Sequence, residues 1–170
     1  MDNGAHTRIA QPEDAEVIRN LSYRIWPRVY ADMISSAQME YMLNWMYATD
    51  TLRKQMEHEG VTYLLLEKNE PIGFAGFGPS TNQRYKLHKL YVDPDHHGQG
   101  YGQLLMERLV TLLPKDCKGI ELQVNKSNPA RHFYNKIGFE IESEAVFDIG
   151  QGYVMDDYIM FKSLDTTAEL

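Results

Sequence analysis

The sequence holds a single cysteine, Cys117, among its 170 residues, so no internal disulfide can form. Chains without disulfides are typical of reducing compartments, and we therefore expect a cytoplasmic protein. No apolar run approaches the roughly 20 residues that a membrane-spanning helix needs. The first residues also lack the basic and then apolar order of a secretory signal. The sequence therefore predicts neither a disulfide scaffold nor a membrane partner.

Basic charge is also in short supply. Lys and Arg number 17 against 24 Asp and Glu, which gives a formal net charge of −7 and a pI near 5.3. A general nucleic-acid binder usually carries a basic excess, so we expect no nucleic-acid partner. The charge is uneven, since residues 81–138 carry nine basic and five acidic side chains while the last 32 residues carry one and eight. A cationic middle in an anionic frame suits an anionic and a cationic ligand, although ordinary solvated surface explains it as well.

The composition and the hydrophobic pattern predict one globular domain over residues 1–170. The chain is 43% hydrophobic and 24% charged, without internal repeats or low-complexity tracts. Helical spacing dominates before Gly60 and strand-like runs follow it, which predicts a mixed α/β domain with one central sheet. The predicted strands are 7–10, 61–67, 72–77, 87–92, 120–124, 139–147 and 153–161. The predicted helices run from Pro12 to an interruption at Trp26-Pro27, from Ser36 toward Gly60, over 101–113, and from Pro129 to Gly138.

The most informative segment is a strand that runs into a glycine-rich turn and then into a helix, from Leu87 to Leu113. Gly98, Gly100 and Gly102 stand at alternate positions in that turn. Glycine lets the backbone approach a ligand closely, and the free amides of a helix N-terminus bind anions, so a phosphate-bearing ligand is expected. The dinucleotide fingerprint requires glycine where Gln103 stands, and the Gly-Lys-Ser/Thr of phosphate-binding loops is absent. Both nucleotide interpretations fail.

Together with a second segment, over 120–139, this turn resembles the GNAT superfamily of acyl-CoA-dependent N-acetyltransferases. Gly100 and Gly102 match the two small positions of the family's Arg/Gln-x-x-Gly-x-Gly/Ala loop, while His97 replaces the leading Arg or Gln. The second segment is similar to the family's stretch in which an Asn and an Ala precede a Tyr and then Gly-Phe. Its residues here are Asn128, Ala130, Tyr134, Gly138 and Phe139.

The resemblance implies a fold, a co-substrate and a set of binding residues. The fold is a single domain with a mostly antiparallel, twisted central sheet flanked by helices, and the co-substrate is acetyl-CoA. The family would use the strand at 90–92 to hold the pantetheine and polarise the thioester carbonyl, the glycine turn to bind pyrophosphate, Asn128 to contact the cofactor arm and Tyr134 to protonate the departing thiolate. The implied cofactor-binding residues are Leu90, Tyr91, Val92, His97, Gly98, Gln99, Gly100, Tyr101, Gly102, Asn128 and Tyr134.

The catalytic base is less well defined than the acid. Many relatives place Glu on the strand before the pyrophosphate loop, and here His88 occupies that neighbourhood. A histidine with an ordinary pKa of about 6.5 accepts protons near neutrality. A packed or surface histidine would look the same in the sequence. Glu121 and Tyr91 are weaker substitutes for the base.

The expected reaction is acetyl transfer to a primary amine by direct attack in a ternary complex. The acidic final hairpin, with Asp156 and Asp157, would attract a small cationic amine, and its region is loosely similar to bacterial polyamine acetyltransferases of the superfamily. A protein N-terminus, a lysine side chain, an amino acid and an antibiotic amine stay open as acceptors. So do a non-catalytic acyl-CoA sensor on the same fold and a homodimer.

A metal cofactor is not expected from this sequence. Asp93, Asp95, His96 and His97 lie close together, but their spacing matches no standard ligand set. A solvated loop next to the phosphate-binding turn explains them better.

Overall fold

The computed structural model describes residues 4–164, which form seven strands and five α-helices. The strands are β1 His6–Ile9, β2 Thr62–Lys68, β3 Glu70–Pro79, β4 Arg84–Val92, β5 Gly119–Asn125, β6 Glu140–Gly150 and β7 Tyr153–Ser163. The helices are α1 Ala15–Tyr30, α2 Ser36–Met46, α3 Thr49–His58, α4 Tyr101–Thr111 and α5 Ala130–Lys136.

The strands form one sheet in the order β1-β2-β3-β4-β5-β7-β6. β4 and β5 pair in parallel, whereas β1 with β2, β2 with β3, β5 with β7 and β6 with β7 pair antiparallel. The predicted fold class, an α/β domain with a mostly antiparallel sheet flanked by helices, is therefore confirmed. The chain divides into two compact units: a first unit up to Gly78 joined by Lys89–Leu112, and a second unit made of Pro79–His88 and the chain from Leu113.

The core of the first unit begins with the buried face of α1. Ile18, Leu21 and Ile25 recur at helical spacing and are at most 2% exposed. The predicted interruption at Trp26-Pro27 is wrong, because α1 continues to Tyr30 with Pro27 inside it. Proline removes one backbone donor, and so close to the end of a helix that loss affects little of the hydrogen-bond ladder.

The second predicted helical stretch is in fact two helices. α2 begins after Ser35, whose hydroxyl accepts a hydrogen bond from the Gln38 amide at 3.1 Å. α2 then ends, and the non-helical residues Tyr47 and Ala48 separate it from α3. Tyr47 is fully buried, so the break places an aromatic ring in the core where a continuous helix was expected.

A close backbone approach joins β3 to the end of β4 within the first unit. A Cβ atom at Gly73 would lie 2.7 Å from the Tyr91 carbonyl oxygen, so only glycine fits at this point. The Asp93 amide then donates to the Ile72 carbonyl at 2.8 Å. These contacts fix the point where β4 ends and the glycine-rich turn begins.

The second unit is built around β5 and the hairpin of β6 and β7. Leu122 pairs with Met160 across β5 and β7, and both side chains are 2% exposed. The predicted hairpin turn around Gln151 is confirmed, since β6 ends at Gly150 and β7 starts at Tyr153. Cys117 is buried beside β5, and its thiol donates to the Gly119 carbonyl at 3.4 Å.

No helix within residues 4–164 combines the length and the apolar character that crossing a membrane requires.

Candidate active site

The glycine-rich turn of the first unit opens α4 with left-handed backbone. Gly98 has φ of 77° and Gly100 has φ of 82°, a conformation that glycine adopts without strain. A Cβ atom built on either residue would meet no atom within 4 Å, so the space over the turn is open. The amides in the first turn of α4 have no partners inside the helix. This geometry can hold a phosphate group against the backbone.

The His97 side chain makes a hydrogen bond inside this turn. Its Nε2 atom donates to the Val92 carbonyl at 2.7 Å, which ties the turn back to the end of β4. The residue that departs from the family's Arg/Gln pattern therefore has a structural contact in the turn. The prediction that His97 binds the cofactor stays a prediction.

The entrance to the turn is also held by an ion-pair cluster that the sequence analysis missed. The buried Asp93 carboxylate accepts from Arg24 Nε at 2.9 Å and from Arg28 at 3.3 Å, both on α1. The same carboxylate accepts from the Asp95 amide at 3.0 Å. Asp93 therefore joins α1 to the segment between β4 and the glycines. Its chain distance from α1 left no signal in the local pattern.

The predicted pantetheine strand is the second half of β4. The parallel ladder between β4 and β5 runs from Arg84 and Gly119 to Leu87 and Leu122 and ends there, before Leu90 is reached. The Tyr91 hydroxyl lies 2.7 Å from the hydroxyl of Tyr30 on α1.

His88, the predicted base, is exposed. Glu121, the weaker substitute, lies on β5 and accepts from the Ser80 hydroxyl at 2.5 Å.

A buried lysine lies in the first unit beside this strand. Lys89 is 6% exposed, and its Nζ donates to the Tyr63 hydroxyl at 2.9 Å, which in turn donates to Gln55 Oε1 at 2.6 Å. The Nζ also sits 4.2 Å from the centre of the Tyr47 ring. Burial lowers the pKa of Lys89 to about 7. Sequence analysis missed this group because a lysine on a strand usually keeps its charge at the surface.

The second unit places Asn128 and Tyr134 around the start of α5. Asn128 is buried, and its Oδ1 accepts from the Ala130 amide at 2.9 Å, which forms a turn just before α5, whose N-cap is Pro129. Tyr134 is also buried, with its ring 5.4 Å from that of Phe133 and 5.6 Å from that of Phe139. Two neighbouring aromatic rings therefore pack against the Tyr134 ring.

The two aspartates of the final hairpin differ sharply in their surroundings. Asp156 is exposed and pairs with Lys126 at 3.0 Å, and Lys126 also pairs with Glu144 at 2.8 Å. Asp157 is 4% exposed, and its Oδ1 accepts no hydrogen bond from any residue in the described range. Burial, with a smaller contribution from Asp156, raises the pKa of Asp157 to about 6, and Lys86 opposes the rise.

The predicted site residues therefore fall into two groups. The first unit holds 90–92 and the turn over 97–102, and the second unit holds His88, Asn128, Tyr134 and the two aspartates. Over residues 4–164, no three His, Cys, Asp or Glu side chains are grouped to bind a metal ion.

Comparison with known sequences identifies the family to which the chain is similar. The sequence model described as the acetyltransferase (GNAT) family matches residues 23–139, more than half of the chain. The peptidyl-lysine N-acetyltransferase YjaB of Salmonella typhimurium is 36% identical over 89 residues, which cover 51% of this chain and 55% of that protein. The match thus spans about half the length of that relative. The ribosomal protein bS18-alanine N-acetyltransferase of Haemophilus influenzae is 31% identical over 103 residues, 60% of this chain and 68% of that protein.

Solved structures share the same fold. The PaiA N-acetyltransferase from Thermoplasma acidophilum, in complex with coenzyme A, matches with a TM-score of 0.80 at 22% identity, over 94% of this chain and 98% of that one. The ribosomal-protein-S18-alanine N-acetyltransferase from Escherichia coli matches with a TM-score of 0.70 at 19% identity, over 95% of this chain and 94% of that one. At such identities the likeness shows the fold alone.

Proposed function

This chain belongs to the acetyltransferase (GNAT) family, and we propose that it moves an acetyl group from acetyl-CoA to a primary amine. The amine attacks the thioester directly, in a complex that holds both substrates. The observation that carries the proposal is the turn at Gly98 and Gly100, where left-handed glycines under open space lead into α4. A backbone of this shape accepts a diphosphate without a side chain in the way.

The remaining binding roles follow the family pattern on this chain's own residues. The diphosphate would contact the amides over 98–102, and the pantetheine would lie along the backbone of Leu90 and Val92. The Oδ1 atom of Asn128 accepts a hydrogen bond from the Ala130 amide, and its Nδ2 group would donate to the cofactor arm. Cofactor binding would then depend more on backbone geometry than on charged side chains.

Tyr134 is proposed as the acid that protonates the departing thiolate. A phenol with an ordinary pKa near 10 is protonated at neutral pH and can donate to a thiolate whose conjugate acid has a pKa near 8.5. Burial of the ring against Phe133 and Phe139 holds the hydroxyl in one place.

For the acceptor, we propose a small cationic amine such as a polyamine. The net charge of −7 supports a cation as the second substrate, and so does the buried Asp157, whose Oδ1 has no hydrogen-bond partner within residues 4–164. The relatives named above act on a peptidyl lysine and on a ribosomal-protein alanine, so a protein amine is the competing acceptor.

His88 is the base that the sequence predicts, and its exposure on β4 is compatible with proton exchange with water. Asp157 is the other candidate base, and its burial with an Oδ1 that lacks a hydrogen-bond partner in the described range supports it. The cytoplasmic setting and the homodimer stay predictions of the sequence.

A panel of amines tests the proposal. The protein is incubated with acetyl-CoA and spermidine, a lysine-containing peptide, a peptide with a free N-terminal alanine, or single amino acids, and free CoA thiol is measured. Thiol release with at least one amine, and fastest release with spermidine, is the expected result. Tight CoA binding by calorimetry without turnover on any amine would instead support the acyl-CoA sensor. Faster turnover with a peptide would move the acceptor to a protein amine.

A further inference from the structure

We infer that Asp157 is the base of the acetyl transfer: its carboxylate binds the acceptor's ammonium group and takes the proton that must leave before attack. This inference rests on the proposed function and names the residue that prepares the amine. It also favours acceptor amines that arrive protonated.

The first support is the burial of a carboxylate with one oxygen that has no hydrogen-bond partner within residues 4–164. Asp157 is 4% exposed, and the Oδ1 atom accepts no hydrogen bond from the described part of the chain. A buried acidic group is normally paired, because its desolvation is costly without a partner. A cationic ligand that donates a hydrogen bond would supply that partner.

The second support is position within the second unit. Asp157 lies on β7 directly opposite Asn125, the last residue of β5. Asn125 starts the turn in which its carbonyl accepts from the Asn128 amide at 2.9 Å, and that turn leads into the helix that carries Tyr134. The Asp157 carboxylate is therefore one strand away from the segment proposed to hold the cofactor arm and the catalytic acid.

The charged groups around Asp157 allow it to work near neutral pH. Its partners across the flanking strands, Asn125 and Ala145, carry no charge. The charges that act on it are Lys86 on β4, which lowers its pKa, and Asp156 beside it, which raises it. With a pKa of about 6, the group is ionised at pH 7 and still basic enough to accept a proton efficiently.

Asp156 provides the contrast on the same strand. Successive residues of a strand point to opposite faces, so Asp156 and Asp157 face different environments. Asp156 is exposed and pairs with Lys126, whereas Asp157 is buried and its Oδ1 has no hydrogen-bond partner in the described part of the chain. The two neighbours therefore form a matched pair for mutagenesis, with the same chemistry in different surroundings.

The proton balance is simple. The acceptor ammonium gives one proton to Asp157, and the freed nitrogen lone pair forms the new C–N bond at the thioester carbonyl. The C–S bond breaks as that intermediate collapses, and Tyr134 protonates the thiolate. The nitrogen loses a second proton, which restores the Tyr134 hydroxyl through solvent. Asp157 then releases its proton to water, so one proton leaves per turnover.

The test compares Asp157→Asn, Asp156→Asn and His88→Ala over pH 5 to 9, with the best acceptor of the amine panel. We expect Asp157→Asn to lower kcat/KM by about 10²- to 10⁴-fold and to lose the ascending limb near pH 6. Asp156→Asn should keep that limb and change mainly KM, and His88→Ala should keep the limb as well. An Asp157→Asn enzyme that retains the limb, or a His88→Ala enzyme that loses it, overturns the inference.

A weakly basic amine separates a chemical role from a structural one. An amine that is already neutral at the assay pH needs no base for its first proton, so Asp157→Asn should lose much less activity with it than with a strongly basic amine. Equal losses with both amines would show that the substitution merely disturbs the site. Calorimetry with CoA alone shows whether Asp157→Asn still folds and binds the co-substrate. If the unaltered protein binds CoA but turns over no amine, the proposed function fails and the inference with it; if only the variants disagree, the inference alone fails.

Discussion

The Nζ atom of Lys89 lies 2.9 Å from the hydroxyl oxygen of Tyr63, and that hydroxyl is the one acceptor it has within residues 4–164. Two aromatic rings lie close to it, with the centre of the Tyr47 ring at 4.2 Å and that of the Tyr63 ring at 5.4 Å. Burial raises the pKa of both Tyr47 and Tyr63, so neither ring supplies a phenolate to balance the ammonium. A positive charge here is stabilised by ring faces and one hydrogen bond only.

This environment predicts an unusual dependence of stability on pH. The pKa of Lys89 falls from 10.5 to about 7 on folding, so between these values the unfolded chain binds more protons than the folded one. The free energy of unfolding should therefore rise with pH in this window, by up to about 1.4 kcal/mol per pH unit from this group. Lys89→Met should remove that rise and stabilise the protein most below pH 7. Urea unfolding from pH 6 to 9.5 measures both effects.

Lys118→Met is the matched control, because Lys118 is exposed and lies in the second unit. Its unfolding free energy should follow that of the unaltered protein at every pH. A Lys89→Met protein that keeps the same pH slope would mean that Lys89 titrates normally in the folded state.

The glycine turn predicts a loss of cofactor binding that can be separated from a loss of stability. Gly100→Val places a branched side chain at φ of 82° in the space where the diphosphate is proposed to lie. Gly152→Val introduces the same side chain at φ of 80° in the β6–β7 turn. Both substitutions should destabilise the fold by about 1–2 kcal/mol. Only Gly100→Val should weaken CoA binding in a calorimetric titration, and equal CoA affinities would place the diphosphate elsewhere.

The ion-pair cluster at Asp93 predicts that a substitution outside the glycine turn weakens both stability and CoA binding. Asp93→Ala removes the acceptor for Arg24, Arg28 and the Asp95 amide, and should lower the free energy of unfolding by about 1–3 kcal/mol. CoA affinity should fall as well, because the segment that leads into the glycines loses its anchor on α1. Asp95→Ala is the control, since that carboxylate is exposed and its pairing with Arg28 is a surface contact. Unchanged CoA affinity in Asp93→Ala would make the cluster purely structural.

The proposed acid predicts a kinetic loss without a structural one. Tyr134→Phe keeps the ring contacts with Phe133 and Phe139 and deletes only the hydroxyl. Turnover should fall by about 10²- to 10⁴-fold if departure of the thiolate limits the rate, with CoA affinity and thermal stability little changed. The descending limb of the pH profile should change too. Rates equal to those of the unaltered enzyme from pH 6 to 10 would remove Tyr134 from the reaction.

Local patterns predicted most of the strands and the glycine turn, because alternation, turn residues and helix caps act over a few residues. The strands from β2 to β7 all lie within a few residues of their predicted positions. The helices before Gly60 were predicted less well. Pro27 predicts the end of a helix, but it lies inside α1. The break between α2 and α3 at Tyr47 accompanies burial of that ring in the core, which involves residues distant in the sequence.

The chemistry of the site was harder to predict, because it depends on which face of each strand is covered. Asp156 and Asp157 look equivalent in the sequence, and only the fold shows that one is enclosed and the other is paired at the surface. The low pKa of Lys89 likewise arises from burial. One ring that packs against its ammonium group belongs to Tyr47, at a break between two helices more than 40 residues earlier. Such properties arise from long-range packing and leave no local pattern.

The buried position of Cys117 has a practical consequence for assays that measure free CoA thiol. Cys117 is 8% exposed and its thiol donates to a backbone carbonyl, so a disulfide reagent should react slowly with this thiol in the folded protein. The colour that such a reagent develops during turnover is then a record of released CoA. In urea the same cysteine becomes a reporter of opening, since the rate at which it is labelled follows the exposure of the chain around β5. Cys117 thus contributes little to the thiol signal of turnover, and its labelling in urea reports unfolding.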